Sequence, residues 1–287
     1  MNRYATSKIR KVTPLPQHSA WWDWRNVTME EMKCFHGVLL NMALQKCKNL
    51  EDLFSREWLQ SSNFFRDCFS RERFLQIFWA LHVSNPTSAT YVNSQVQSRL
   101  SKVSNVLNYL SGMFLEIYRP YQYLAADEST VTFKGRVLFK MYNPQKPTKW
   151  GLRVYVILDS SNGYICNLIP YFGAVTTKSL ICAHLNFSER IVLQLLANIR
   201  NATGQSGYHL YTGRFYTSVA SADELLKQNM HLTGTIQASR KNLPAAIKKG
   251  ALHRRKYEIK CLHNKKLMVL AWQDKRTVLM LSTKANK

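Results

Sequence analysis

A change of residue pattern at Pro120 divides the sequence into a helical part and a part built largely of strands. Before Pro120, seven apolar residues alternate at spacings of four and three, which places them on one stripe of a helix. They are Val96, Leu100, Val103, Leu107, Leu110, Phe114 and Ile117. Such a stripe packs either within its own domain or against a partner subunit. Proline then ends the helix because it has no backbone N–H to donate.

Shorter helices are predicted upstream of this stripe. Thr28 and Glu31 have the spacing of a capping box and open an apolar-periodic run. Ser70 precedes a second such run. We therefore predict a helical domain over residues 21–120. Residues 1–20 are polar and basic, and we predict a flexible arm there.

After Pro120 the sequence has the pattern of strands joined by turns, with two helices between them. The segment Asp159–Gly163 is rich in turn-forming residues and predicts a hairpin between strands Val154–Leu158 and Tyr164–Tyr171. Helices are expected over Glu189–Ile199 and Ala220–Gln228. Further strands are expected at Tyr121–Ala125, Tyr208–Tyr211, Thr233–Gln237, Leu267–Ala271 and Val278–Leu281. The predicted fold class is α+β, with a mixed sheet over residues 121–287.

The charge of the chain restricts its partners. It has 40 lysines and arginines against 17 aspartates and glutamates, a net charge of +23. A folded domain this basic repels itself unless a polyanion or an anionic membrane supplies counter-charge, and of these we favour nucleic acid, DNA in particular. No apolar run reaches the length of a membrane span, and the six cysteines form no Cys-x-x-Cys pair. We expect an intracellular protein without a membrane partner.

Two features after Pro120 could carry chemistry. Asp127 and Glu128 stand where an apolar run ends, a usual position for catalytic carboxylates in α/β sheets. Six cations then fall within 20 residues, among aromatic rings that could stack bases: Lys134, Arg136, Lys140, Lys146, Lys149 and Arg153. A second basic cluster holds Lys248, Lys249, Arg254, Arg255 and Lys256. Each cluster could instead be a solvated basic surface, but the net charge favours contact with nucleic acid.

The order of the motifs resembles that of the piggyBac-type transposases. In the second half they are Asp127-Glu-x4-Phe133-Lys-Gly-Arg136, Lys146-Pro-x-Lys149-x-Gly151, Asp159-x3-Gly163-Tyr164, Tyr171-x-Gly173, Phe215-Tyr-Thr-Ser218 and Gly234-Thr-x4-Arg240. In the first half they are Glu31-Met-Lys-x-Phe35-x-Gly37, Ser70-Arg-x-Arg73-Phe74 and Leu81-His82. The matches run from about residue 28 to residue 283, which makes a chance resemblance improbable.

The resemblance implies a helical domain for dimerisation and DNA binding, followed by an RNase H-like domain with an insertion near 240–275. That domain moves DNA with two divalent ions, Mg²⁺ or Mn²⁺, held by three carboxylates. Asp127 matches the first carboxylate and is the one candidate metal ligand. Gly213 stands at the second position, and the third is expected beyond Thr283, past the end of this sequence, so the domain is expected to be incomplete at its C-terminus.

The resemblance therefore predicts a transposase-derived, nuclear DNA-binding protein without strand-transfer activity, able to form a homodimer through its N-terminal helices. Asp127 alone is insufficient to fix two ions, so no cofactor is expected unless activity remains. Two alternatives stay open. One is an active two-metal transposase or nuclease fragment that uses Asp127. The other is a transposon relic without a function.

Overall fold

The fold was analysed in a computed structural model that describes residues 1–45, 47, 49–57, 63–83, 103–144, 146–247 and 257–284. The chain divides into two compact units. In the described residues the division falls between Asn105 and Val106. The predicted Lys248–Lys256 basic cluster and the stripe residues Val96 and Leu100 lie outside the described residues.

The first unit is helical, as the sequence pattern indicates. Its α-helices are α1 (Asn2–Val12), α2 (Met29–Leu44), α3 (Asn63–Cys68) and α4 (Arg71–Ala80), with a 3₁₀ turn at Glu51–Phe54. Thr28 and Ser70 cap α2 and α4 through their side-chain oxygens. The core is largely aromatic and consists of Phe35, Val38, Leu53, Phe54, Phe65, Phe69, Phe74 and Ile77.

Within residues 1–20, for which we predict a flexible arm, residues 2–12 form helix α1. The side chain of Asn2 exchanges two hydrogen bonds with the backbone of Val27, at 3.0 and 3.1 Å. Ala5 is fully buried, and the ring of Tyr4 stacks on His82 with centroids 3.5 Å apart. These contacts hold α1 against the helical unit, and none of them follows from the local sequence pattern.

The second unit is built on a nine-stranded mixed sheet. Its helices are α5 (Ser104–Ile117), α6 (Ala174–Ser179), α7 (Phe187–Thr203) and α8 (Val219–Lys227). Its strands are β1 (Tyr123–Thr132), β2 (Met141–Tyr142), β3 (Trp150–Asp159), β4 (Ile165–Pro170), β5 (His209–Thr212), β6 (His231–Thr235), β7 (Ile259–His263), β8 (Met268–Gln273) and β9 (Thr277–Ser282).

The strand order is β2-β3-β1-β5-β6-β9-β8-β7, with β4 paired to β3. Strands β1, β5 and β6 are parallel to one another, and the other pairs are antiparallel. Helix α7 supplies much of the core through Ile191, Leu195, Leu196 and Ile199, which are almost fully buried. The predicted α+β class with a mixed sheet is therefore confirmed.

Several predicted elements differ at their ends. Strand β1 does not end before Asp127 but continues to Thr132, because its polar second half pairs with β3 over Asp127–Thr132. Within the region predicted as an insertion near 240–275, residues 259–263 form edge strand β7 in a hairpin with β8. Strand β7 is largely exposed and contains Lys260 and His263, so the sequence pattern does not predict a strand there.

Helix α5 groups with the sheet unit rather than with the helices before it, so the compact units divide ahead of the predicted boundary at residue 120. Leu115 packs on the sheet core, and the Tyr118 hydroxyl donates a 3.0 Å hydrogen bond to Asp159. The apolar stripe on α5 is only partly covered, since Leu110 is 39% and Ile117 is 72% exposed. No helix in the described part of the chain is long and apolar enough to cross a membrane.

Candidate functional site

The candidate site lies where β1 and β5 run side by side in the middle of the sheet. In the parallel register Ala126 is paired with Thr212. Asp127 follows Ala126 on β1, and Gly213 follows Thr212 at the end of β5. The candidate carboxylate and the glycine therefore come directly after the last pair of the register. On the other side of β1, Asp127 is paired with Val156 of β3. Asp127 is one of the exposed residues of β1.

Gly213 contributes no side chain to this site, and the space beside it is open. A Cβ atom built on Gly213 would meet no other atom within 4 Å. The backbone around it is nevertheless ordered, because its carbonyl accepts hydrogen bonds from the N–H groups of Tyr216 and Thr217, at 3.0 and 3.2 Å. The guanidinium of Arg240 donates to the Phe215 carbonyl in the same loop. The loop is therefore held in place without a carboxylate in it.

Glu128 is bound from two sides. The Tyr216 hydroxyl donates a 2.9 Å hydrogen bond to Glu128 Oε2, and Lys146 Nζ lies 3.5 Å from Oε1. The Glu128 N–H in turn donates to Asp127 Oδ1 at 2.8 Å. Tyr216 is only 2% exposed, and burial raises the pKa of its hydroxyl so far that it remains a hydrogen-bond donor. The Glu128 carboxylate is therefore already bound by Tyr216 and Lys146.

The pKa values of the two neighbouring carboxyl groups are shifted in opposite directions from their ordinary values. Partial burial, together with the adjacent Glu128 carboxylate, raises the pKa of Asp127 above its ordinary value. Burial would also raise the pKa of Glu128, but the hydrogen bond from Tyr216 and the charge of Lys146 outweigh it, and the pKa is lowered. Asp127 is thus the carboxyl group that takes up a proton more readily, and Glu128 stays ionised.

These residues do not fit a pair of divalent ions. Two ions about 4 Å apart require several carboxylates between them. Here Asp127 faces a glycine, and Glu128 is engaged by Tyr216 and Lys146. Within the described ranges no group of three His, Cys, Asp or Glu side chains could hold a metal ion. We therefore assign no reaction step to metals at this site.

Asp159 has a structural part in the hairpin turn rather than a place in the site. It is fully buried and accepts hydrogen bonds from the backbone N–H groups of Tyr121 and Ser161, at 2.7 and 2.8 Å. Burial would raise the pKa of Asp159, but these bonds and those from Ser161 Oγ and Tyr118 Oη lower it. The predicted turn at Asp159–Gly163 is confirmed, and Gly163 supplies the positive φ of 76° that the turn requires.

The six cations of the predicted DNA-binding segment differ in their surroundings. Lys146 pairs with Glu128, and the Tyr155 hydroxyl lies close to Arg153. Lys140 Nζ donates to the Gly135 carbonyl at 3.1 Å and lies 5.2 Å from the centroid of the Trp150 ring. The remaining three, Lys134, Arg136 and Lys149, are exposed, and no carboxylate in the described part of the chain pairs with them.

Two aromatic rings lie beside these cations. Tyr142 and Trp150 are paired across β2 and β3 with ring centroids 4.6 Å apart, and each is about half exposed, at 50% and 51%. The loop before β2 and the hairpin of β2 and β3 thus contain both exposed rings and exposed cations. We call Lys134, Arg136, Lys149, Tyr142 and Trp150 the hairpin surface.

Sequence reasoning missed the bond between Tyr216 and Glu128, which are 88 residues apart. Local spacing contains no signal that could link them. It also missed the hydrogen bond from Arg240 to the Phe215 carbonyl in the loop after β5, although Phe215 and Arg240 both lie in motifs of the family resemblance.

A mixed sheet with three parallel central strands, a carboxylate on β1 and a helical unit ahead of it defines an RNase H-like transposase fold. The chain belongs to the piggyBac-type transposases: the family model described as "Transposase IS4" matches residues 1–287. The solved piggyBac transposase synaptic complex with hairpin DNA is similar in fold, with a TM-score of 0.79 and 21% identity over 100% of this chain and 58% of that one.

Two human proteins are similar in sequence. PiggyBac transposable element-derived protein 3 is 25% identical over 214 residues, which is 74% of this chain and 34% of that protein. PiggyBac transposable element-derived protein 5 is 24% identical over 262 residues, 88% of this chain and 48% of that protein. The chain therefore spans a third to a half of the length of these curated relatives.

Proposed function

We propose that this chain is a piggyBac transposase-related protein that binds DNA but does not cleave or join it. The observation that carries the proposal is the register of β1 and β5, which ends with the pair Ala126–Thr212. The next residues are Asp127 and Gly213, so a glycine follows β5 at the position where the family resemblance implies a second carboxylate.

DNA as the partner is supported by charge and by similarity. The net charge of +23 calls for a polyanion. The piggyBac transposase with the same fold was solved as a complex with hairpin DNA. The hairpin surface offers cations for phosphates and rings for bases, the two kinds of contact that nucleic-acid grooves combine.

Loss of strand transfer is supported by the side chains at the site. A glycine cannot ligate a metal, and Glu128 is held by Tyr216 and Lys146. If the missing ligand removes even 4 kcal/mol of transition-state stabilisation, the rate falls by roughly a thousandfold. Asp127 then remains as a solvent-exposed carboxylate without partners for catalysis.

DNA binding is tested by titrating the chain with duplex DNA at several salt concentrations. We expect log K to fall linearly with log salt, with a slope of about −0.9 for each neutralised phosphate. The triple variant Lys134→Gln, Arg136→Gln, Lys149→Gln should flatten that slope. A matched triple variant of exposed cations elsewhere, Lys33→Gln, Arg56→Gln, Lys178→Gln, should flatten it less. A native chain whose affinity does not depend on salt contradicts the proposal.

Loss of cleavage is tested with supercoiled plasmid in Mg²⁺ and Mn²⁺. We expect no nicking by the native chain, by Asp127→Asn or by Gly213→Asp, because no third ligand stands among the described residues. Gly213→Asp is a fair test because the space beside Gly213 is open. Metal-dependent nicking by the native chain that Asp127→Asn abolishes would instead establish the alternative, an active nuclease fragment.

We further propose a homodimer through the N-terminal helices and a location in the nucleus. Helix α2 leaves Leu40 and Leu44 72% and 83% exposed, and a second copy of the chain would cover these apolar side chains. Sedimentation should give a dimer mass that Leu40→Glu with Leu44→Glu reduces to that of a monomer. A fluorescent fusion should accumulate in nuclei, and uniform distribution would contradict that location.

A further inference from the structure

The N-terminal helix α1 presents a basic face directly opposite the side by which it is attached. Ala5 faces the core, and Asn2 and Tyr4 fasten the helix to Val27 and His82. At 100° per residue, Arg3, Ser7 and Arg10 lie on the side away from Ala5. All three are exposed. The attachment therefore fixes which side of α1 is turned outward.

A groove of about 600 Å³ runs along this face. Besides Asn2, it is lined by Arg3, Thr6, Ser7, Arg10, Lys11 and Asn26. These are the residue types that donate hydrogen bonds to phosphate and sugar oxygens in DNA complexes. Among the described residues, no acidic or large apolar residue lines it. By contrast, another cleft of the helical unit contains Glu30 and Glu31 together with Arg25 and Arg73, so its charges offset one another.

The cations of the groove have no ion-pair partner in the part of the chain that the structure describes. Arg3, Arg10 and Lys11 form no ion pair with any described residue. The first acidic residue of the sequence is Asp23, so α1 itself offers none. Lys8, the fourth cation of α1, is turned away and lies 5.9 and 5.8 Å from the ring centroids of Tyr4 and Trp21.

We propose that this face of α1, defined by Arg3, Ser7, Arg10 and Lys11, is a separate binding site for the phosphate backbone of duplex DNA. The inference rests on the proposed DNA-binding function and adds a contact on the helical unit that is distinct from the hairpin surface. Arg3 and Arg10 are seven residues apart, about 10 Å along the helix, which is the length of about three phosphates on one DNA strand.

A membrane surface is the less favourable partner for the same charge. A helix that lies on a bilayer inserts an apolar face opposite its cations. In α1 that opposite face is already buried against the helical unit through Ala5 and Tyr4. The groove can therefore meet a charged backbone from outside, and no large apolar side chain of a described residue lines it for contact with lipid.

The test compares two triple variants of the full chain that remove the same charge. Arg3→Gln, Arg10→Gln, Lys11→Gln empties the groove of cations, and Lys33→Gln, Arg56→Gln, Lys178→Gln is the control. We expect the groove variant to lower the salt slope by about three, so that the native chain loses about 40-fold more affinity than the variant between 50 and 200 mM salt. The loss should be equal on two duplexes of unrelated sequence, because phosphates carry no sequence information.

The outcomes separate this inference from the proposed function. If the native chain binds DNA and the groove variant keeps the native slope, the groove assignment is wrong and DNA binding stands. If both triple variants flatten the slope equally, total charge rather than this face is responsible, and the assignment is again wrong. If the native chain binds no DNA, both proposals fail.

A second variant, Ser7→Glu, places one negative charge in the middle of the face without touching the attachment of α1, and it should weaken binding in the same manner. An unchanged urea midpoint shows that the variants fold. Binding to phosphatidylserine vesicles that the groove variant loses, with DNA binding intact, would assign the face to membranes and overturn the inference.

Discussion

Tyr216 and Glu128 are joined by a hydrogen bond of 2.9 Å that connects the loop after β5 to the central strand β1. The bond links the two chain segments on which the family's catalytic carboxylates are expected. Gly213 leaves one of these segments without a ligand, yet the loop keeps its place against β1. This hydrogen bond therefore contributes to holding the loop against β1.

The Tyr216–Glu128 bond should stabilise the sheet unit measurably. Replacing Tyr216 by Phe removes the donor and leaves a partly buried carboxylate with one partner fewer, at a loss of about 2 kcal/mol at neutral pH. Because the folded pKa of Glu128 lies below its ordinary value of 4.5, the stabilisation is present above that value and is lost as the pH falls through the folded pKa. Urea unfolding in neutral and acidic buffer measures the difference.

The exposed tyrosine of β2 provides a control for this variant. Tyr142→Phe removes a hydroxyl that is half exposed, and it should change the unfolding free energy by less than about 0.5 kcal/mol. If Tyr216→Phe is equally mild, or if its effect persists unchanged in acid, the bond does not have the role assigned to it.

The ionised form of Asp127 should slightly lower the stability of the folded protein at neutral pH. Its folded pKa is raised, chiefly by burial, so its contribution to stability is full below the ordinary value of 3.8 and is lost as the pH rises through the folded pKa. Asp127→Asn keeps an acceptor for the Glu128 N–H and removes the charge. Since water screens an exposed carboxylate, we expect a gain of only about 1–2 °C in Tm at neutral pH and none in acid. Asp23→Asn, at another exposed position, should show no such gain. A lower Tm for Asp127→Asn would refute this interpretation.

Two glycines near the site should respond very differently to a methyl group. A Cβ on Gly234 would stand 2.3 Å from the Thr212 carbonyl oxygen and 2.4 Å from Thr217 Oγ1. One on Gly213 would meet nothing within 4 Å. Gly234→Ala should therefore destabilise the chain by about 3 kcal/mol, since the nearest atom belongs to the backbone and cannot move aside. Gly213→Ala should stay within about 0.5 kcal/mol of the native chain. Equal unfolding midpoints for the two variants would contradict the close packing of β6 on β5.

The sequence predicts those parts of the fold that depend on neighbouring residues. The hairpin turn at Asp159–Gly163 and helix α7 follow from turn residues and apolar periodicity, and both are present. The family resemblance also points to Asp127 and Gly213 as a pair, and the register brings them side by side. Whether these residues have the roles assigned to them stays a prediction.

What the sequence does not reveal depends on contacts between distant segments. Asn2 binds Val27, and Tyr216 binds Glu128, through side chains whose sequence spacing contains no pattern. Strand β1 continues past Asp127 because β3 pairs with it, although its second half is polar. A residue pattern describes one segment at a time, and these features arise only when two segments meet.

The predicted capping box at the start of α2 is also changed by a contact with a distant segment. Thr28 accepts the Glu31 N–H at 3.1 Å, as expected. The Glu31 carboxylate instead takes two hydrogen bonds of 2.7 Å from the guanidinium of Arg73 on α4. The two side chains are only 14% and 8% exposed, so the pair is largely removed from water.

Glu31→Gln should therefore destabilise the helical unit by about 3 kcal/mol, because it leaves the buried Arg73 without a counter-charge. Glu72→Gln removes the carboxylate of an exposed pair with Arg71, whose side chains are 66% and 50% exposed, and should change stability by less than about 0.5 kcal/mol. Hydrogen bonding from Arg73 holds the pKa of Glu31 below its ordinary value of 4.5, so the stabilisation is present above that value and is lost as the pH falls through the folded pKa. Urea titrations of both variants at neutral pH and in acid measure these differences, and equal effects of the two substitutions at neutral pH would show that the Glu31–Arg73 pair does not hold α2 to α4.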